Sequence, residues 1–214
     1  MTDRAKMDAQ ELIAAQAARG ADPATMANAR AKLDAINARL PKEAMAALAR
    51  RAMTAPARAK IIMLRRMTDH FGAAVGPAAP CKRGCDACCH MATLVTVEEA
   101  TLIARQTGAK MTMPARFNEV LEKAELRERH NGVPCTFLTR GGCAIYAERP
   151  LACRMHYTLD ADNLLCHIVP GHPANNVPMA NTRELDMLIM KAHGGPYQIR
   201  YADIREFFPK GLGK

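Results

Sequence analysis

A chain of 214 residues is long enough to bury a sizeable core without disulfide staples. Its formal charge of +9, with only 4% aromatic residues and no Trp, gives a basic surface with few rings for base stacking. No nucleic-acid-binding motif accompanies that charge, so nucleic acid is not the expected partner. The charge is also uneven: residues 1–80 are net +6 and residues 81–214 net +3.

The opening stretch MTDRAKMDAQELIAAQ spreads its charges through the segment and shows no apolar run before a small-residue cleavage site. No segment approaches the roughly 18 apolar residues of a membrane span. The expected compartment is the cytoplasm, where thiols stay reduced and clustered cysteines are more often metal-binding or catalytic than cross-linked.

Residues 1–76 read as helices in series. DAQELIAAQAARG closes on Gly20, Asp22 caps a second helix with Pro23 in its first turn, and LPKEAMAALARRAM and PARAKIIMLRRMTDHF follow. Leu12, Met26, Leu33, Ile36, Met45, Leu48, Ile61, Leu64, Met67 and Phe71 fall into apolar stripes at helical spacing. They predict a small bundle packed on the rest of the chain. Its positive charge and methionines also suit an arm that binds an acidic protein partner.

The Gly/Pro/Ala stretch at 72–80 is the expected boundary, so the chain divides into a helical region, 1–76, and a cysteine-bearing domain, 77–214. In the latter, MATLVTV predicts a short extended segment, and Thr96 with Glu99 a capping box for the next helix. PARFNEVLEKAELRERHNG predicts an amphipathic helix ending on Asn131 and Gly132, AIY a short strand, and Pro150 the first residue of a helical turn. Asn181 and Glu184 are expected to cap TRELDMLIMKAH, with YADIREFF as a last short helix. The expected fold is mostly α: a helical N-terminal region packed on an irregular, loop-rich metal-binding domain.

All eight cysteines, Cys81, Cys85, Cys88, Cys89, Cys135, Cys143, Cys153 and Cys166, lie after residue 80. Thiolates select zinc, iron–sulfur clusters or copper(I). Structural zinc sites commonly use two short C-x2-4-C knuckles. Here the second block runs C-x7-C-x9-C-x12-C, and the adjacent Cys88 and Cys89 suit two separate centres or one polynuclear centre better than a single tetrahedral ion. His90, His156 and His167, each within three residues of a cysteine, are further candidate ligands, with His90 first among them. Arg149 and Arg154 flank Cys153 and are placed either to offset thiolate charge or to pair with Glu148 or Asp160; Asp86 can hold Arg154 or cap a helix. A thiol-redox enzyme is a competing reading, with Lys82 and Arg83 beside Cys81, but a redox pair leaves six cysteines unexplained. CKRGCDAC matches the C-x3-C-x2-C triad of radical S-adenosylmethionine enzymes, yet the chain is too short and too helical for their barrel.

CKRGCDACC, VPCTFLTRGGCAIYAERPLACRMH and LLCH together resemble the YkgJ-like cysteine-cluster family, described as a zinc- or iron-chelating domain with the pattern CxxCxxCC. The resemblance spans residues 80–170 and departs at Cys81, which stands four residues before Cys85 where the pattern has three. It implies chelation of iron, an iron–sulfur cluster or zinc by the cysteines. A similar cluster in flagellin lysine methylases, where an iron–sulfur cluster is implicated, inclines the expectation toward iron. No S-adenosylmethionine motif is recognisable, and TRGGC is too short to be a cofactor loop. Any substrate or enzymatic step lies outside what the residues indicate.

Overall fold

Asp8 starts the first helix, α1 (Ala9–Ala21): its carboxylate takes the amides of Gln10 and Glu11, and the Glu11 side chain answers by accepting the Asp8 amide. The computed structural model describes residues 7–117 and 123–213. α1 runs one residue past the expected Gly20. Asp22 serves both neighbours there, donating its amide to Arg19 O while its side chain accepts from Ala24 at the start of α2 (Pro23–Arg39). Pro41 and Pro56 then open α3 (Lys42–Thr54) and α4 (Ala57–Val75), where a missing N–H leaves no bond unmade.

Of the expected stripe, Ile36, Met45, Ile61, Leu64, Met67 and Phe71 are buried, whereas Met26 is 49% exposed. Each fully buried large apolar side chain contributes about 1.5–3 kcal/mol. Their core is shared: Leu102, Leu151, Tyr157, Leu159, Leu185 and Ile189 belong to it. Helices before residue 76 and residues after 100 are thus packed around one interior.

A second core lies under the cysteine loops. Strand β1 (Leu94–Val95) leads through the Thr96/Glu99 capping box into α5 (Val97–Thr107), which Gly108 ends at φ +74°. α6 (Lys123–His130) is helical, while residues 114–117 of the same expected helix are irregular and 118–122 lie outside the described residues. Strands β2 (Leu138–Thr139) and β3 (Gly142–Cys143) form a tight antiparallel hairpin. The expected strand AIY is instead turn: Ala144 N–H bonds Phe137 O, and the chain then folds back with Glu148 N–H on Ile145 O. α7 (Leu151–Met155) starts after Pro150, and α8 (Arg183–Ala192) starts after Thr182. Asn181 is one residue too early to be that cap and bonds the amide of Arg183 instead. β4 (Ala202–Asp203) pairs antiparallel with β1 and runs into α9 (Ile204–Phe207). Val95, Ile103, Phe137, Ile145, Phe207 and Phe208 fill this core. The chain is mostly α, as expected, and no helix among the described residues is long and apolar enough to cross a membrane.

The N-terminal helices also bind the cysteine region by polar contacts. Gln16, buried on α1, donates to the carbonyls of Leu164 (2.9 Å) and His167 (2.8 Å). Arg19 bonds the buried Asp160 at 2.9 Å, and Lys32 on α2 caps the carbonyls of Leu159 and Asp160.

Candidate metal centre

Cys88 and Cys89 lie in a single 3-10 turn, Ala87–His90, closed by Cys89 N–H on Asp86 O at 2.8 Å. That turn is the seat for the second cysteine block. Cys135 donates its amide to Cys89 O, and Gly132 to His90 O, both at 2.7 Å. Cys135 opens the turn into the β2–β3 hairpin, Cys143 ends β3, and Cys153 is held in α7. Cys135 Sγ accepts the amide of Phe137 and Cys143 Sγ that of Ile145, each two residues on. Such N–H donors stabilise sulfur in its anionic form.

Cys89, Cys135, Cys143 and Cys153 stand within one another's electrostatic fields, with Cys88 hydrogen-bonded beside Cys89. Burial drives the Cys135 thiol up to about 11 and raises those of Cys143 and Cys153 as well. Cys89 is pushed up first by its bond to Cys88 and then by burial. Without a cation the sulfurs keep their protons, because bare anions would repel one another in a poorly solvated site. Two guanidinium groups work in the opposite direction. Arg205 lowers Cys89 and Cys135, and Arg149 lowers Cys143 and Cys153.

Cys81, Cys85 and Cys166 stand within one another's electrostatic fields. Cys81 packs against the first core, whereas Cys135 and Cys143 pack against the second. The Thr158 amide favours the anionic form of Cys81 and its hydroxyl that of Cys166, while the hydroxyl donates to the Pro178 carbonyl at 3.3 Å. Asn163 donates to Cys85 Sγ at 3.5 Å and accepts the amide of Cys166 at 3.1 Å through its carbonyl. Burial lifts the Cys166 thiol to about 12, and the fields of Cys81 and Cys85 add to it. The three fields overlap as those of the first group do.

The donor set in both groups suits a thiophilic metal: several reduced sulfurs, amides aimed at them and cationic side chains nearby. The sulfurs are gathered but not closed. Among the described residues no three His, Cys, Asp or Glu side chains stand at the spacing that one ion requires.

The histidines are placed unevenly. His90 closes the turn of Cys88 and Cys89. His156, half-buried, and His167 line a 920 Å³ groove with Cys166. Arg149 stacks on the Tyr146 ring at 4.0 Å and supplies positive field to both groups, whereas Arg154 pairs with Asp69 at 2.5 Å. Neither takes the anticipated Glu148 or Asp160 as its ion pair; Asp160 is held by Arg19. Asp86 occupies the N-cap position of the 87–90 turn without a side-chain cap bond.

Arg205 is a contributor that sequence reasoning missed. Its guanidinium binds both oxygens of Asp203 at 2.8 and 3.0 Å and the carbonyls of Cys89, Met91, Val133 and Pro134, so it ties the first cysteine turn to the loop before Cys135. It lies more than fifty residues beyond Cys153, and only the β1–β4 pairing brings it in. Thr158 and Asn163 were likewise invisible, since single polar residues in a loop carry no spacing signal.

Residues 80–170 match the family model described as "CxxCxxCC: Putative zinc- or iron-chelating domain". This region is similar to that chelating domain. Its span begins one residue before Cys81 and ends four after Cys166, so all eight cysteines of the chain fall inside it. Helices α1–α4 precede the matched residues, and α8, β4 and α9, with Arg205, follow them. Neither the comparison with curated proteins nor that with solved structures found a match.

Proposed function

We propose that this protein binds iron in the reducing cytoplasm, as an iron–sulfur or polynuclear iron centre built on Cys89, Cys135, Cys143 and Cys153 with Cys88 beside them. The observation that carries this reading is the number of sulfurs in one neighbourhood: five thiols from four separate segments, where a structural zinc ion takes about four ligands. The amides of Phe137 and Ile145 and the guanidinium groups of Arg149 and Arg205 would hold the deprotonated sulfurs. His90, in the same turn as Cys88 and Cys89, is the nitrogen donor in reserve. When bound, such a centre supplies one-electron redox capacity or a soft Lewis acid.

The test is purification without oxygen and without a metal-affinity resin, followed by iron, zinc, copper and acid-labile sulfide per chain and the visible spectrum. Iron with sulfide and a broad band near ~400 nm is the expected result. Zinc alone in a colourless protein would overturn iron and make the site structural. Single Cys→Ser variants at 89, 135, 143 and 153 should each lower bound iron substantially; full retention in all four would remove the ligand assignment.

A further inference from the structure

The positive charge of the N-terminal region is concentrated on one pair of helices. α3 and α4 hold seven Lys and Arg residues and two acidic ones, Glu43 and Asp69, so +5 of the +6 net charge of residues 1–80 sits there. The two helices are joined only by Ala55 and Pro56 and pack against each other. A groove of 550 Å³ lies between them. Ala44, Ala47, Leu48 and Arg51 line it from α3, at i, i+3, i+4 and i+7, and therefore share one face of that helix. Arg66 and Asp69 line it from α4. Asp69 is already ion-paired with Arg154 at 2.5 Å, whereas neither Arg51 nor Arg66, both exposed, has an ion-pair partner among the described residues. The groove thus joins an apolar wall to two uncommitted guanidinium groups.

We propose that the α3–α4 groove docks an acidic amphipathic helix of a partner protein, with its apolar stripe on Ala44, Ala47 and Leu48 and its carboxylates on Arg51 and Arg66. A helix suits the groove because its apolar residues recur at the same i, i+3, i+4 and i+7 interval as the wall that receives them. The two alanines carry nothing beyond Cβ, so an incoming backbone can come close. Each guanidinium can take a carboxylate through two parallel N–H bonds, and the surplus positive charge of the helical pair steers an acidic partner toward it. A nucleic acid would match the charge but not the wall: among the described residues no Phe or Tyr lines the groove for a base to stack on. Asp69 also links this surface to the cysteine region, since its partner Arg154 is next to Cys153 on α7. The docking surface lies outside the residues matched to the chelating domain and does not depend on the metal reading.

The experiment selects a displayed library of helical peptides with randomised faces against the full-length protein and, in parallel, against Arg51→Glu/Arg66→Glu. Wild type should enrich peptides in which Asp or Glu flanks a stripe of Leu, Ile or Met at i, i+3, i+4 and i+7, and the double variant should not. The most enriched peptide, made with a fluorescent label, should bind the double variant about tenfold more weakly or worse, and its affinity for wild type should fall as salt rises. Ala44→Trp fills the groove and leaves both arginines in place, so it should weaken the same peptide by a similar factor. Circular dichroism reports whether the variants fold; Ala44 is exposed, and Ala44→Trp decides the question if the double variant does not fold. Enrichment of the same peptides by the folded double variant, enrichment of no acidic helix by wild type, or undiminished binding to Ala44→Trp would overturn the site. Tight binding of a labelled single-stranded DNA that is lost in the same variants would overturn the protein partner in favour of nucleic acid.

Discussion

The amide of Cys135 donates to the carbonyl of Cys89 at 2.7 Å, joining two cysteines that are 46 positions apart through their backbones and not through their sulfurs. The bond leaves both thiols available while fixing the chain that bears them. Arg205 reinforces it by holding the same Cys89 carbonyl at 3.1 Å together with Val133 and Pro134.

Arg205 is buried against an equally buried Asp203, so removing it leaves an unpaired carboxylate and several orphaned carbonyls. Arg205→Met should lower unfolding stability by about 3–5 kcal/mol and reduce bound metal. Arg205→Lys keeps the charge but not the planar fork, and should fall between that variant and wild type. Urea unfolding with metal content measured on the same samples checks both; wild-type stability in Arg205→Met would remove its proposed structural role.

Gln16 is 3% exposed and satisfies two carbonyls of the loop that carries Cys166. Gln16→Ala should cost about 1–3 kcal/mol, because the His167 carbonyl loses its donor and Leu164 O keeps only the long 3.4 Å bond from His167 N–H. Iodoacetamide should then label Cys166 faster than in wild type and Cys89 at an unchanged rate. Equal acceleration at both would mean that α1 supports the whole domain and not this loop.

Gly142 has φ +98°, a conformation side chains rarely adopt, and a Cβ there would stand 3.1 Å from the Gly84 Cα. It is where the hairpin of Cys143 meets the loop of Cys81 and Cys85. Gly142→Ala should destabilise by about 1–3 kcal/mol and push the two loops apart. Thermal unfolding reads the first effect, and the labelling rates of Cys85 and Cys143 read the second; an unchanged melting temperature would contradict the close approach.

His193, at the end of α8, has a buried Nε2 with no hydrogen-bond partner among the described residues. Burial lowers its pKa, with Lys60 adding to that and Glu98 opposing it. A lowered folded pKa means that the unfolded chain binds the proton more readily. The stability it contributes is whole above the ordinary value near ~6.5 and is lost as the pH falls below it toward the folded value. Unfolding free energies measured between pH 7.5 and pH 5, settings chosen to span roughly that window, should fall in wild type and fall less in His193→Gln. Identical slopes would show that His193 does not titrate with folding.

Local chemistry was readable along the chain. Asp22 before Pro23, Thr96 three residues from Glu99 and prolines ahead of α3 and α4 determine helix starts through bonds made within four residues, so those elements stand where expected. The cysteine inventory and the CxxCxxCC resemblance were equally a property of residue identity and order. What failed was also local but conditional: AIY has strand-forming residues, yet the hairpin ends at Cys143 because Ala144 bonds back to Phe137 and the chain turns at once. The grouping of the sulfurs could not be read at all. Cys85 and Cys88 are near neighbours in sequence, and spacing alone would assign them to one site. What tertiary structure adds is the surroundings: Cys81 rests on the core that α2–α4 share with Tyr157 and Leu159, while Cys135 and Cys143 rest on the core of Phe137, Phe207 and Phe208. Sequence determined which thiols are present and their order along the chain; the packing of the segments that bear them on two different interiors decided what surrounds each one.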